Sequence, residues 1–151
     1  METPFREKSH LLVNFLRPKK SELILVFANT KINVERIEKL LKKENLAVDY
    51  IHSGLSQGRR QRVLNKFRNK QMPILIATDV AARGLHISNI DYVINYDFPQ
   101  NLEFYIHRIG RTGRAGASGK AISLISSARE KSQLMSIIRQ KKYPLELIDW
   151  K

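Results

Sequence analysis

Short, uninterrupted apolar runs set between amphipathic stretches constrain this chain more than any other feature in it. Residues 23–28 (Leu-Ile-Leu-Val-Phe-Ala) and 74–77 (Ile-Leu-Ile-Ala) show no polar alternation, the pattern of a strand buried on both faces. Residues 92–96 read as another strand, 48–51 as a shorter one and 121–125 as a further one. Between them the apolar positions recur at helical spacing. Leu11, Leu12, Phe15 and Leu16 lie within residues 5–17, ahead of Pro18. Val34, Ile37, Leu40 and Leu41 form a second inner stripe, and Val63, Leu64 and Phe67 a third. Residues 101–108 read as helix, and Leu134, Ile137 and Ile138 mark the last one. Asn29 or Thr30 caps the second helix and Ser56 the third, while Ser127 with Glu130 forms a capping box. Strands alternating with such helices predict an α/β fold, a mainly parallel sheet covered by helices on both faces. No local pattern orders the strands. Chemistry in such sheets gathers beyond the carboxyl ends of the strands.

At 151 residues the chain is read as one domain, 1–151, with a lead-in helix and turn over about 1–20 and a tail over 141–151. Residues 145–150 read as a short strand or coil. Lysine and arginine number 27 against 14 aspartates and glutamates, a formal charge of +13. That excess points to a polyanionic partner, nucleic acid foremost. No apolar run approaches membrane-spanning length and the amino terminus has no signal core, so no membrane partner is expected. Without cysteine, disulfides and cysteine-ligated zinc are excluded. A cytoplasmic setting is expected, with a nuclear or organellar one as the alternative.

The densest chemistry lies between Tyr105 and Gly116. His107, Arg108, Arg111 and Arg114 fall within eight residues, interleaved with Gly110, Gly113 and Gly116. Guanidinium forks stay charged and match phosphate oxygens. The run reads as a phosphate clamp or as a solvated basic loop. Asn29 and Thr30 follow a strand and open a helix, a place where anions bind or a cap forms. His52-Ser53-Gly54, with Gln57 and Arg60 one turn into the next helix, could hold a sugar–phosphate chain. Thr78-Asp79-Val80-Ala81-Ala82-Arg83-Gly84 is thin enough for a ligand backbone to approach, its carboxylate orienting an arginine or accepting from a hydroxyl, or it is a helical connector with a structural salt bridge. Lys66, Arg68 and Lys70 read as a solvated face. The chain has no Gly-x-x-x-x-Gly-Lys-Ser/Thr loop and no carboxylate pair placed for magnesium, both of which a self-contained ATPase needs.

Taken in order, residues 25–30, Gln57-x-x-Arg60, residues 77–85 and His107 to Arg114 closely resemble successive motifs of the second RecA-like domain of DEAD-box ATP-dependent RNA helicases. The resemblance runs from about Leu23 to Ser126. It implies that Arg111 and Arg114 are arginine fingers for the γ-phosphate of ATP, with His107 bridging to the first RecA-like domain. It implies that Phe27 packs near the arginine motif. It also implies RNA contacts, mostly to the backbone, at Asn29, Thr30, Gly54, Gln57, Arg60, Thr78 and Asp79. Gly84 falls where the ATP ribose is approached. The family usually has aspartate where this chain has His86, which brings no fixed negative charge to the ribose hydroxyls and is expected to weaken nucleotide binding or relax ribose selectivity. ATP and Mg2+ would be bound mainly by the absent amino-terminal RecA-like domain, leaving the isolated chain inactive as an ATPase. The alternatives are a stand-alone basic RNA-binding module and half of a DNA-directed helicase.

Overall fold

The computed structural model describes residues 4–83, 87, 89–111 and 120–141. The chain runs α1 (Pro4–Leu16), β1 (Ile24–Phe27), α2 (Lys31–Lys43), β2 (Val48–Ile51), α3 (Gln57–Arg68) and β3 (Ile74–Ala77). It continues through α4 (Asp79–Ala82), β4 (Tyr92–Asn95), α5 (Leu102–Ile109), β5 (Lys120–Ser123) and α6 (Ala128–Lys141). The strands make one five-stranded sheet in the order β2-β3-β1-β4-β5, and every neighbouring pair is parallel.

Period-two alternation divides the sheet's side chains between two cores. Ile24 and Val26 of β1 join Leu12 and Leu16 of α1 and Val34, Ile37 and Leu41 of α2 on one face. Leu25 and Phe27 join Val63, Leu64 and Phe67 of α3 and Ala81 and Ala82 of α4 on the other. Tyr105, Leu134 and Ile137 form a smaller cluster where α5 meets α6. The continuous apolar runs are therefore explained: each central strand has a helix layer on either side.

α1 is part of the fold. Lys8 Nζ donates to the Tyr96 carbonyl at 3.0 Å and lies 3.5 Å from Glu130 Oε1 of α6. Tyr96 Oη donates to the Phe5 carbonyl at 2.8 Å and lies 2.8 Å from Ser9 Oγ. Burial pushes the Tyr96 hydroxyl up to about 12.

The caps follow the sequence closely. Thr30, Ser56, Thr78 and Asn101 each accept from the backbone N–H three residues on. Glu130 N–H donates to Ser127 Oγ, but the Glu130 carboxylate reaches back to the Ser126 N–H at 2.9 Å, one residue earlier than a regular capping box. The last strand occupies 120–123 rather than 121–125 because pairing with β4, Tyr92 opposite Lys120 and Asn95 opposite Ser123, sets its bounds. The expected strand or coil at 145–150 lies outside the described residues.

Candidate functional site at the carboxyl edge of the sheet

The chain leaves β1 toward β2 on one side of the sheet, whereas it leaves β4 toward β5 on the other. Connections that diverge from adjacent strands open a crevice at their carboxyl ends, where open α/β sheets bind ligands. Phe27 and Asn95 sit opposite each other at that point, and Arg108 of α5 fills it. Its side chain is fully buried, and all five guanidinium N–H groups are used. Nε and Nη2 clasp the two oxygens of Asp79 at 2.6 and 2.7 Å. Nη2 also donates to Asn29 Oδ1 at 2.7 Å, and Nη1 to the Asp97 carbonyl at 2.7 Å and Asn95 Oδ1 at 3.3 Å. The guanidinium carbon stands 5.0 Å from the centre of the Phe27 ring. One arginine thereby ties the ends of β1, β3, β4 and α5 together. A buried charge is tolerable only with this degree of pairing.

The Asn29 amide is committed on both sides, its Nδ2 donating to the Phe98 carbonyl at 3.0 Å. Asp97 Oδ2 receives the Asn29 N–H at 2.9 Å and Asn33 Nδ2 at 3.1 Å, which sets the entry to α2. Thr30 caps that helix and is exposed. At the end of β2 the Gly54 N–H donates to His52 Nδ1 at 3.0 Å, which leaves the proton on Nε2, 3.2 Å from Glu35 Oε1. A Cβ on Gly54 would stand 2.8 Å from Cε1 of the buried imidazole, so the turn requires glycine. Gln57 opens α3 and is exposed.

Four arginines surround the four-residue helix α4. Arg108 holds Asp79 at its start, and Arg60 Nη2 donates to the Ala81 carbonyl at 3.2 Å. Arg111 Nη2 donates to the Ala82 carbonyl at 3.1 Å. Arg83, at its carboxyl cap, lies 3.5 Å from Glu103 Oε1 and 5.5 Å from the Phe104 ring. These contacts satisfy the carbonyls that a helix end leaves unpaired. Arg60 Nε remains buried without a hydrogen-bond partner, a donor that gains from any acceptor brought to it. Between α4 and α5 lies a shallow cleft lined by Phe27, Ala82, Arg83, Phe104, His107 and Arg111, among others. His107 is exposed and lies 3.8 Å from Glu103 Oε1.

The structure thus gathers Asn29, Thr30, Gly54, Gln57, Arg60, Thr78, Asp79, His107 and Arg111 along one edge of the sheet. Gly84, His86 and Arg114 lie outside the described residues. Sequence reasoning grouped Arg108 with its neighbours and assigned nothing to Asn95 or Asp97. The missing signal was the position of Asn95 and Asp97 at a strand end, parallel to Thr78-Asp79. Among the described residues no cluster of three or more histidines or carboxylates could hold a metal ion, and no helix is long and apolar enough to cross a membrane.

Comparison with known proteins agrees with this geometry. Residues 7–116 match the helicase conserved C-terminal domain. The chain is 44% identical over 146 residues to the probable ATP-dependent RNA helicase ddx17 of Dictyostelium discoideum, a match covering 93% of this chain and 19% of that protein. The fold is similar to the C-terminal domain of the DEAD-box protein Dbp5, with a TM-score of 0.83 at 32% identity, over 90% of this chain and 79% of that one. It is similar also to S. cerevisiae Dbp5 bound to RNA and ADP BeF3, with a TM-score of 0.83 at 32% identity, over 89% of this chain and 36% of that one. The chain spans about a fifth of the length of the Dictyostelium relative.

Proposed function

The chain belongs to the helicase conserved C-terminal domain family in its DEAD-box, RecA-like form, and from that premise we propose that it completes the ATPase site of an RNA helicase. In this reading a first RecA-like domain of the parent protein holds ATP and its magnesium. The present residues do not fit that task, having neither a phosphate loop nor a carboxylate cluster among the described residues. They supply positive charge instead. Arg111, with Arg114, turns toward the γ-phosphate when the two domains close, and His107, exposed beside it, meets the first domain. Preorganised charge of this kind acts where phosphoryl charge is spread in the transition state.

One observation carries the reading: two arginines three residues apart have different fates. Arg108 is sealed in the fold by five hydrogen bonds among the described residues. Arg111 sits half-buried at the rim of the same cleft, on the carbonyl of a four-residue helix. The first fixes the frame in which the second can be aimed.

RNA lies along the ends of β2, β3 and β1, against Gly54, Gln57, Arg60, Thr30 and the α4 cap at Thr78. Asn29 and Asp79 shape that surface through Arg108. Dbp5, similar in fold, has been seen with RNA and a nucleotide analogue bound. Hydrolysis by the parent protein, measured with saturating RNA, tests the proposal. Arg111→Ala should lower kcat by about 10³–10⁵ while leaving RNA affinity within a few-fold, and the 151-residue chain alone should hydrolyse no ATP. Activity in the variant within tenfold of the parent would overturn the assignment of Arg111.

A further inference from the structure

The outer face of α3 has no part in the site above. From Gln57 to Arg68 the helix carries five arginines and lysines and no carboxylate. Arg59, Arg62 and Lys66, spaced three and four residues apart, fall on one side of it, beside the stripe that buries Val63, Leu64 and Phe67. All three are exposed, and Lys70, also exposed, lies just past the helix end. No salt bridge reaches Arg59, Arg62 or Lys66 among the described residues. Arg59 instead lies 5.3 Å from the centre of the Tyr50 ring, on edge strand β2, with Nη2 3.4 Å from its hydroxyl.

Local stability does not explain this pattern. Arg59 and Arg60 stand in the first turn, at the positive end of the helix dipole. Like charges three and four apart weaken a helix further. α2 shows the usual remedy, with Glu38 paired to Lys42 one turn on, and α3 has no counterpart to it. A polyanion alongside would turn both penalties into attraction.

We infer that this face of α3 is an electrostatic track for the phosphate backbone of RNA extending beyond the nucleotides held at the sheet edge. The inference rests on the RNA reading of that edge and deepens it. α3 begins there, with Gln57 and Arg60 in its first turn, and runs back beside β2, so the stripe leads away from the site over about 10 Å. Charges without base-reading groups position a strand and carry no sequence preference.

The test uses the full 151-residue chain with Arg59, Arg62 and Lys66 all changed to Gln. Affinity is measured against salt for single-stranded RNAs of about six and about twenty nucleotides, bracketing typical site sizes. The longer RNA should lose about 2 from its log–log salt slope, roughly 0.7 for each lost contact. The shorter one should keep its slope, and the thermal midpoint should not fall. An unchanged slope on the longer RNA overturns the track, as does an equal loss on the shorter one. Single-stranded DNA of the same length presents the same phosphates and should lose its slope equally, and an unchanged DNA slope overturns the assignment to phosphate contacts. Arg60→Gln separates the two readings. If it leaves short-RNA binding intact while the triple variant still flattens the long-RNA slope, the grip at the sheet edge fails and the track stands.

Discussion

Arg108 and Arg111 have the same side chain in the same short motif, and only their surroundings separate them. Arg108 is clasped by an Asp79 carboxylate that is itself 15% exposed, so neither charge has much water to fall back on. Removing one partner of such a pair leaves the other uncompensated, at a cost of about 3–5 kcal/mol. Arg108→Met should therefore destabilise the chain by that amount in urea unfolding, and Asp79→Leu made with it should recover part of the loss. A cost below about 1 kcal/mol would mean that Asp79 finds water or another donor easily. Tyr96 tests a different kind of burial. Folded, it holds its proton up to about 12, against an ordinary value of 10.0. Between those values the folded chain keeps a proton that the unfolded chain has released, so stability present below pH 10 is lost as pH rises toward 12. Tyr96→Phe should remove that share of the alkaline decline. At neutral pH it should cost about 0.5–1.5 kcal/mol for the lost bond to Phe5. Unfolding free energies taken from pH 8 to 12 would show whether the two slopes differ.

At the scale of elements, the legible parts were those with a long repeating pattern. β1 and β3 could be placed because an apolar run with no polar member has one comfortable home, between two helix layers. α2 and α3 could be placed because a buried stripe and a capping residue agreed. α4 was legible only as an alternative, a helical connector with a structural salt bridge, since four residues make barely one turn and carry no periodicity. What holds it is tertiary: Arg108 at Asp79, Arg60 at the Ala81 carbonyl and Arg111 at the Ala82 carbonyl. The last two come from different elements and share one small support, so their effects should not be independent. Arg60→Gln and Arg111→Gln should each cost about 0.5–1.5 kcal/mol. The double variant should fall short of their sum by at least about 0.5 kcal/mol, because α4 is already loosened by the first change. A double-mutant cycle in urea that closes within about 0.3 kcal/mol would show that α4 does not link Arg60 and Arg111, the arginines proposed to face RNA and nucleotide.

For the molecule as a whole, the order β2-β3-β1-β4-β5 decides where function can sit, and no stretch of sequence encodes it. Strand order is a property of long-range pairing, and the apolar residues of β1 would satisfy several neighbours equally. Once the order is set, segments separated by up to 79 residues, such as Asn29 and Arg108, meet at a single crevice. The opposite faces of the sheet, by contrast, are closed by their own helices. Among the described residues the carboxyl edge of the sheet is where the crevice opens, and that edge carries cations while the chain has no phosphate loop. Two ligands should then behave differently toward the isolated chain. On the proposed function RNA would bind the folded form through the charged edge and should stabilise it by RT ln(1 + [L]/Kd), about 2.7 kcal/mol at a hundredfold excess over Kd. That corresponds to a rise of roughly 5–10 °C in Tm for a chain of this size. ATP with magnesium lacks its cradle here and should shift the midpoint by less than about 1 °C at millimolar concentration. Thermal unfolding of the 151 residues in low salt, with each ligand in turn, separates these cases. A nucleotide shift as large as the RNA shift would mean that this half binds ATP unaided, and the division of labour between two domains would have to be abandoned.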